Sequence, residues 1–157
     1  MALIIENGAG VIGADSFVTV AECEAFALAY FGHSLSGSPA DKESALRRAF
    51  VFMSGLRWRA DLWPTFGGTI PQAIKNGQHV FARAEFQSVG VLSPSVTLAG
   101  AKVLTKVGSL EWTPKEGDNT VEAARPVVTM GFDFIRPWLE FDPSRDASIG
   151  YTGIMTV

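Results

Sequence analysis

Apolar side chains recur at helical spacing in several stretches of the chain, and each stretch follows a helix-start signal. The first stretch follows Thr19 and Glu22, which form a capping box, and it predicts a helix over about residues 20–31. Gly32 ends it, since glycine readily adopts the left-handed conformation. The apolar stripe of this helix consists of Cys23, Phe26, Ala27, Tyr30 and Phe31.

Three further helices are predicted by the same signals. Ser38 as an N-cap before Pro39 starts a helix over about 39–54, and Pro71 opens another over about 71–88. A fourth runs from Thr129 to about Glu140, with a bend at Pro137, which lacks a backbone donor.

The pattern changes in the second half of the chain. Residues 101–113 alternate in polarity around Gly108 and Ser109, which predicts a β-hairpin, whereas residues 141–157 show no periodicity. The fold class we predict is mainly α: a small bundle of about four helices with one β-hairpin and an extended C-terminal tail. Residues 1–140 form a single domain in this prediction, and 141–157 form the tail.

The composition favours a protein that assembles with partners and argues against disulfide-rich, metal-cluster and membrane-spanning proteins. The chain has 157 residues, of which 47% are hydrophobic and 18% charged, and its formal net charge is −3. Charge this sparse leaves apolar surface to be covered by partners, which favours assembly. One cysteine and two histidines argue against a disulfide scaffold or a metal cluster. No basic leader and no apolar run long enough for a membrane span is visible, so we expect an aqueous, reducing environment and no membrane partner.

Candidate chemistry is sparse. Residues 8–13 have the letters of a G-x-G-x-x-G dinucleotide motif, but the helix cap lies at Thr19 and no second buried strand follows, so turn-forming glycines are the better interpretation. Gly32 to Ser36 falls one residue short of a nucleophile elbow and connects two helices. We therefore expect no catalytic residue, no cofactor, no metal and no enzymatic activity.

A basic segment remains to be explained. It interleaves Arg47, Arg48, Arg57 and Arg59 with the aromatic Trp58. Cations next to an aromatic ring suit single-stranded nucleic acid, because arginines neutralise phosphates and bases stack on aromatic faces. The same arginines could pair with acids of a neighbouring subunit, or simply face water. The sequence leaves these three alternatives open.

The order of several short motifs resembles the tailed-bacteriophage head–tail connector family, whose members are also catalogued as DnaT-like single-stranded DNA-binding proteins. No single motif decides the resemblance, which extends over most of residues 3–139. The motifs are Ile5-Glu-Asn-Gly-Ala-Gly10, Gly13-Ala-Asp-Ser-Phe-Val18, Lys42-Glu-Ser-Ala-Leu-Arg-Arg-Ala49, Trp58, Trp63-Pro64, Ile70-Pro71, Lys106-Val-Gly-Ser-Leu-Glu111 and Phe132-Asp-Phe-Ile-Arg-Pro-Trp-Leu139.

The resemblance implies a structural virion protein at the head–tail interface, made in the host cytoplasm. Such an adaptor forms a ring, usually a dodecamer, between the portal protein and a stopper or tail-side neck protein, with genome DNA passing through the lumen without sequence-specific contact. On this expectation the subunit interface joins basic to acidic residues: Arg47, Arg48, Arg57, Arg59, Glu22 and Glu24. The portal or neck contacts are Lys106, Gly108, Ser109, Phe141, Arg145 and Tyr151.

The alternative is a single-stranded DNA-binding accessory protein of replication. It predicts an affinity that falls steeply with salt, because phosphate contacts release counterions. It also predicts dependence on Trp58, on which bases would stack.

Overall fold

A computed structural model describes residues 2–93 and 128–140, together with the backbone of two short strands between them. The fold is mainly helical, and the described residues contain four α-helices. Their bounds are α1 Val20–Phe31, α2 Pro39–Ser54, α3 Gln72–Gln87 and α4 Thr129–Ile135. The first three agree with the predicted bounds to within one residue.

The first two helices begin where their N-caps place them. Thr19 and Glu22 form a reciprocal capping box at α1, and Ser38 and Asp41 form one at α2. Each box satisfies backbone N–H groups that have no partner inside the helix. Gly32 ends α1 with φ of 75°, in the left-handed region.

The fourth helix is shorter than predicted. It ends at Ile135, and the chain continues as a 3-10 turn over Arg136–Trp138. Pro137 has no N–H to donate to the carbonyl of Asp133, so the regular helical ladder cannot continue past it. The proline therefore ends the α-helix rather than bending it.

The predicted hairpin is described only in part. Strand β1, Lys106–Val107, pairs antiparallel with β2, Leu110–Glu111, and Lys106 lies opposite Glu111. A hairpin over the full range 101–113 stays a prediction, because Gly108, Ser109 and the flanking residues lie outside the described residues. The same holds for the tail, including Phe141, Arg145 and Tyr151.

Helix α3 is the centre of the core and packs against both α2 and α4. Two glycines allow α3 and α4 to approach closely. A Cβ on Gly77 would overlap the Ile135 side chain, and one on Gly131 would lie 2.6 Å from Phe81. Phe81 is fully buried, with its ring 5.0 Å from that of Phe52 and 5.3 Å from that of Phe132. Within the described ranges, no helix has the length and apolar character that crossing a bilayer requires.

Candidate nucleic-acid interface

An aromatic loop follows α2 and packs its rings in a cluster. The indoles of Trp58 and Trp63 stack with centroids 5.3 Å apart and an interplanar angle of 23°. Phe66 meets Trp58 edge-on at 5.2 Å, and Phe17 meets Trp63 edge-on at 5.1 Å. Both tryptophans are only partly buried, so the cluster anchors the loop to the core and still leaves aromatic surface at the exterior.

The start of this loop is an extended segment that pairs with residues 138–140, which follow α4. The N–H of Arg59 donates to the carbonyl of Trp138 at 3.0 Å, and the N–H of Glu140 donates to the carbonyl of Arg57 at 2.8 Å. Trp58 pairs with Leu139 between these bonds. Because side chains alternate along an extended strand, Arg57 and Arg59 lie on the same side of this segment.

The indole of Trp58 is fixed in place. Its Nε1 donates to the carbonyl of Met53 at 2.8 Å, so the ring is tied both to the C-terminal turn of α2 and to Trp63. A ring held in this way meets a ligand without a further loss of side-chain entropy.

An open depression of about 440 Å³ lies at this place on the surface. The arginines, the tryptophans and two carboxylates contribute to its wall. Its lining residues are Ser54, Leu56, Arg57, Trp58, Arg59, Ala60, Asp61, Trp63 and Glu140.

The four arginines of the basic segment have different surroundings. Arg47 donates to Asp15 at 2.6 Å and lies 3.5 Å from Glu43, and Arg48 donates to Glu85 at 2.7 Å. Arg57 and Arg59 are exposed, and their side chains make no hydrogen bond, ion pair or aromatic contact with any described residue. Only this second pair has its guanidiniums available to a ligand.

The predicted subunit interface stays a prediction, and four of its charged residues have partners within the chain. Arg47 and Arg48 were expected to meet acids on a neighbouring copy, and the structure gives both of them partners within the chain. The acids are engaged as well: Glu22 caps α1 and lies 3.9 Å from Lys75, and Glu24 pairs with Lys42. Contacts between elements far apart in sequence satisfy these charges, and a linear charge pattern does not show them.

Arg48 belongs to a buried site that stabilises the fold. Glu85 is 1% exposed and accepts hydrogen bonds from Arg48 and from the backbone N–H groups of Gly90 and Leu92, at 2.9 and 2.8 Å for the latter two. Burial alone raises the pKa of Glu85, but these hydrogen bonds outweigh it and the pKa is lowered. Arg48 thus neutralises a buried carboxylate and ties α2 to the end of α3.

Two carboxylates of the depression have no such role. The side chains of Asp61 and Glu140 are exposed and make no hydrogen bond or ion pair within the described part of the chain. Sequence reasoning missed both residues, along with Trp63. The two tryptophans in one loop are a sequence signal for an aromatic site. The pairing that brings Glu140 beside Arg57 joins residues some eighty positions apart, so no local sequence pattern indicates it.

The glycine-rich stretch that resembles a nucleotide motif is occupied by the protein itself. Glu6 is buried, and its carboxylate accepts from the N–H groups of Gly8, Gly10 and Val11 at 2.7, 3.0 and 2.7 Å. Backbone N–H groups that converge in this way form an anion nest. The nest is filled by Glu6, which explains why a turn rather than a phosphate-binding loop forms here.

Two groups with catalytic or metal-binding chemistry, His79 and Cys23, are buried inside the helical bundle. Burial lowers the pKa of His79 to about 4 and raises that of the Cys23 thiol to about 12. His79 stacks on Phe26 with centroids 4.7 Å apart. In the part of the chain that the structure describes, no three His, Cys, Asp or Glu side chains lie close enough together to hold a metal ion.

Comparison with protein families gives a match. Over residues 1–151, the sequence matches the family described as "Putative DnaT-like ssDNA binding protein". Neither a curated protein nor a solved structure matches the chain. The match supports the DnaT-like part of the resemblance. The expectation of a head–tail connector ring is wrong, because the family description is that of a single-stranded DNA-binding protein and agrees with the alternative.

Proposed function

Since the chain belongs to the family of DnaT-like ssDNA binding proteins, we propose that it binds single-stranded DNA in the depression lined by Arg57, Trp58, Arg59 and Trp63. The observation that supports this site is that the side chains of Arg57 and Arg59 have no hydrogen-bond, ionic or aromatic partner among the described residues. Every other lysine or arginine side chain that the structure describes has a charged, polar or aromatic partner; these are Lys42, Arg47, Arg48, Lys75, Arg83 and Arg136.

The arginines have the spacing that a nucleotide backbone needs. Positions 57 and 59 lie on one side of an extended segment, roughly 7 Å apart along the strand. This separation is comparable to that of adjacent phosphates in an extended nucleotide chain. The chain as a whole is acidic, so the attraction is local and requires phosphates to approach this face.

The tryptophans supply the second component of the site. Stacking of one base on an aromatic side chain contributes about 1–3 kcal/mol and tolerates any base, because every base has a π-face. The fixed indole of Trp58 and its stacked neighbour Trp63 offer such a surface beside the phosphate contacts. This is a binding role, and it requires no catalytic group.

The proposal is tested by titrating a labelled oligonucleotide of about 12 nucleotides and measuring fluorescence anisotropy at low salt. We expect R57Q/R59Q to weaken binding by about tenfold or more, because two phosphate contacts are lost. K75Q is the control for the loss of a positive charge: it removes one ammonium group from α3, outside the depression, whereas R57Q/R59Q removes two guanidiniums from the depression. K75Q should bind within about twofold of the wild-type affinity, because salt screens the attraction between a distant surface charge and the bound strand.

We expect the variants to fold, because the side chains of Arg57 and Arg59 make no hydrogen bond, ion pair or aromatic contact with a described residue. Circular dichroism should show native helix content. Wild-type protein that fails to bind at low salt would overturn the proposal. So would an R57Q/R59Q variant whose affinity equals that of K75Q.

A further inference from the structure

The depression holds an unusual set of charges. Among the ionic side chains that the structure describes, Arg57, Arg59, Asp61 and Glu140 make no hydrogen bond or ion pair, and all four line this one surface. They do not pair with one another either, since no guanidinium nitrogen lies within 4.0 Å of a carboxylate oxygen here. Two cations and two anions are thus available together to a ligand.

A site for phosphates alone would be weakened by these carboxylates, because unlike the arginines they repel phosphate. A carboxylate can only accept hydrogen bonds at neutral pH. A ligand that uses the whole site must therefore carry anionic groups for Arg57 and Arg59 and N–H donors for Asp61 and Glu140. Single-stranded DNA has both, in its phosphates and in the edges of its unpaired bases.

The four bases differ in the donors they offer. Cytosine, adenine and guanine carry exocyclic amino groups, and a carboxylate that accepts from cytosine N4 is an established contact. Thymine has no exocyclic amino group: its one donor, N3–H, lies between two carbonyl oxygens, and these would face the carboxylate and repel it. The lining of the depression contains both tryptophans and both carboxylates, so a base bound there lies near Asp61 and Glu140.

We infer that Asp61 and Glu140 are specificity-determining residues that accept hydrogen bonds from exocyclic amino groups, so that the site binds cytosine-rich single strands more tightly than thymine-rich ones. This inference rests on the proposed function. It adds a preference among bases that the arginines and tryptophans alone would not produce, because phosphate contacts and stacking are nearly independent of sequence.

The backbone holds both carboxylates at the site. Glu140 is positioned by its backbone N–H, which donates to the carbonyl of Arg57, so its side chain is not needed to hold the residue in place. Asp61 has φ of 59°, in the left-handed region where aspartate and asparagine are the best tolerated residues after glycine. D61N and E140Q therefore change the hydrogen-bonding chemistry and leave the backbone as it is.

The test compares oligo-dC with oligo-dT of equal length, which share the pyrimidine ring and the backbone, in slightly alkaline buffer. We expect wild-type protein to prefer oligo-dC by about fivefold. D61N and E140Q should each reduce this ratio and strengthen binding to oligo-dT, because repulsion is removed and an amide can donate to a thymine carbonyl. D133N is the control for the loss of a negative charge: it removes a carboxylate that pairs with Arg136 outside the depression, and it should keep the ratio.

Two results would overturn the inference while the proposed function stands: wild-type protein that binds oligo-dT as tightly as oligo-dC, or a ratio that neither D61N nor E140Q changes. If binding to both oligonucleotides is absent, or does not depend on Arg57 and Arg59, the proposed function itself is wrong.

Discussion

Replacing Glu6 by glutamine tests the filled nest at the start of the chain. One carboxylate oxygen accepts from Gly8 and Gly10, and the other accepts from Val11 at 2.7 Å. Glutamine has the same shape but only one acceptor oxygen. In either orientation it loses at least one charge-assisted hydrogen bond and points its amide protons at a buried N–H group.

The expected cost follows from these contacts. A hydrogen bond to a charged group contributes about 1.5–3 kcal/mol, and an unsatisfied buried donor costs about 1–3 kcal/mol. We therefore expect E6Q to lower the free energy of unfolding by about 2–4 kcal/mol. Urea denaturation followed by circular dichroism measures it, and E140Q, an isosteric change at an exposed carboxylate without a partner, should stay within about 0.5 kcal/mol of wild type.

The pH dependence gives a second readout. Burial raises the pKa of Glu6, but hydrogen bonds from backbone N–H groups lower it by more, so the folded-state pKa lies below the ordinary value of 4.5. A lowered carboxyl pKa contributes stability that is present above the unfolded pKa and lost as the pH falls through the folded pKa. The difference in the free energy of unfolding between wild type and E6Q should therefore decrease in acid. A gap below about 0.5 kcal/mol at neutral pH, or one that does not change in acid, would refute this reasoning.

Two further predictions concern the core. F81A removes the fully buried ring between α2 and α4 and should cost about 3–5 kcal/mol in urea denaturation; a cost below about 1 kcal/mol would contradict the packing described here. Burial lowers the folded-state pKa of His79 to about 4, below its ordinary value of 6.5, so the unfolded state binds the proton more readily. Wild-type stability should therefore decrease as the pH falls from 6.5 toward 4, and H79L should decrease less over that window; equal slopes would contradict the buried, neutral histidine.

Helix bounds were predictable because the signals for them are local. The capping box at Thr19 and the Ser38-Pro39 start place two helix N-termini to the residue. The stripe of α1 was less accurate at its end: Tyr30 is 53% exposed and stacks on Phe26 at 4.1 Å, whereas the next residue, Phe31, packs against the core. Spacing shows which residues share a helix face, but it does not show how far the neighbouring elements extend over it.

The site was predictable only in part. The sequence pattern placed Arg57, Trp58 and Arg59 together as a candidate for single-stranded nucleic acid. It could not separate them from Arg47 and Arg48, whose partners Asp15 and Glu85 lie 32 and 37 positions away. Nor could it show Glu140, which reaches the depression through backbone pairing with residues 57–59. Non-local pairing decides which charges remain available, and periodicity and charge patterns do not contain that information.

The salt dependence of single-stranded DNA binding tests the central claim most directly. For a single strand, the logarithm of the affinity falls with the logarithm of salt concentration with a slope of about −0.7 per phosphate neutralised. The account predicts that R57Q/R59Q reduces the magnitude of this slope by about 1.4 relative to wild type, the contribution of two phosphate contacts. An unchanged slope in R57Q/R59Q would show that phosphates bind elsewhere and would contradict the account.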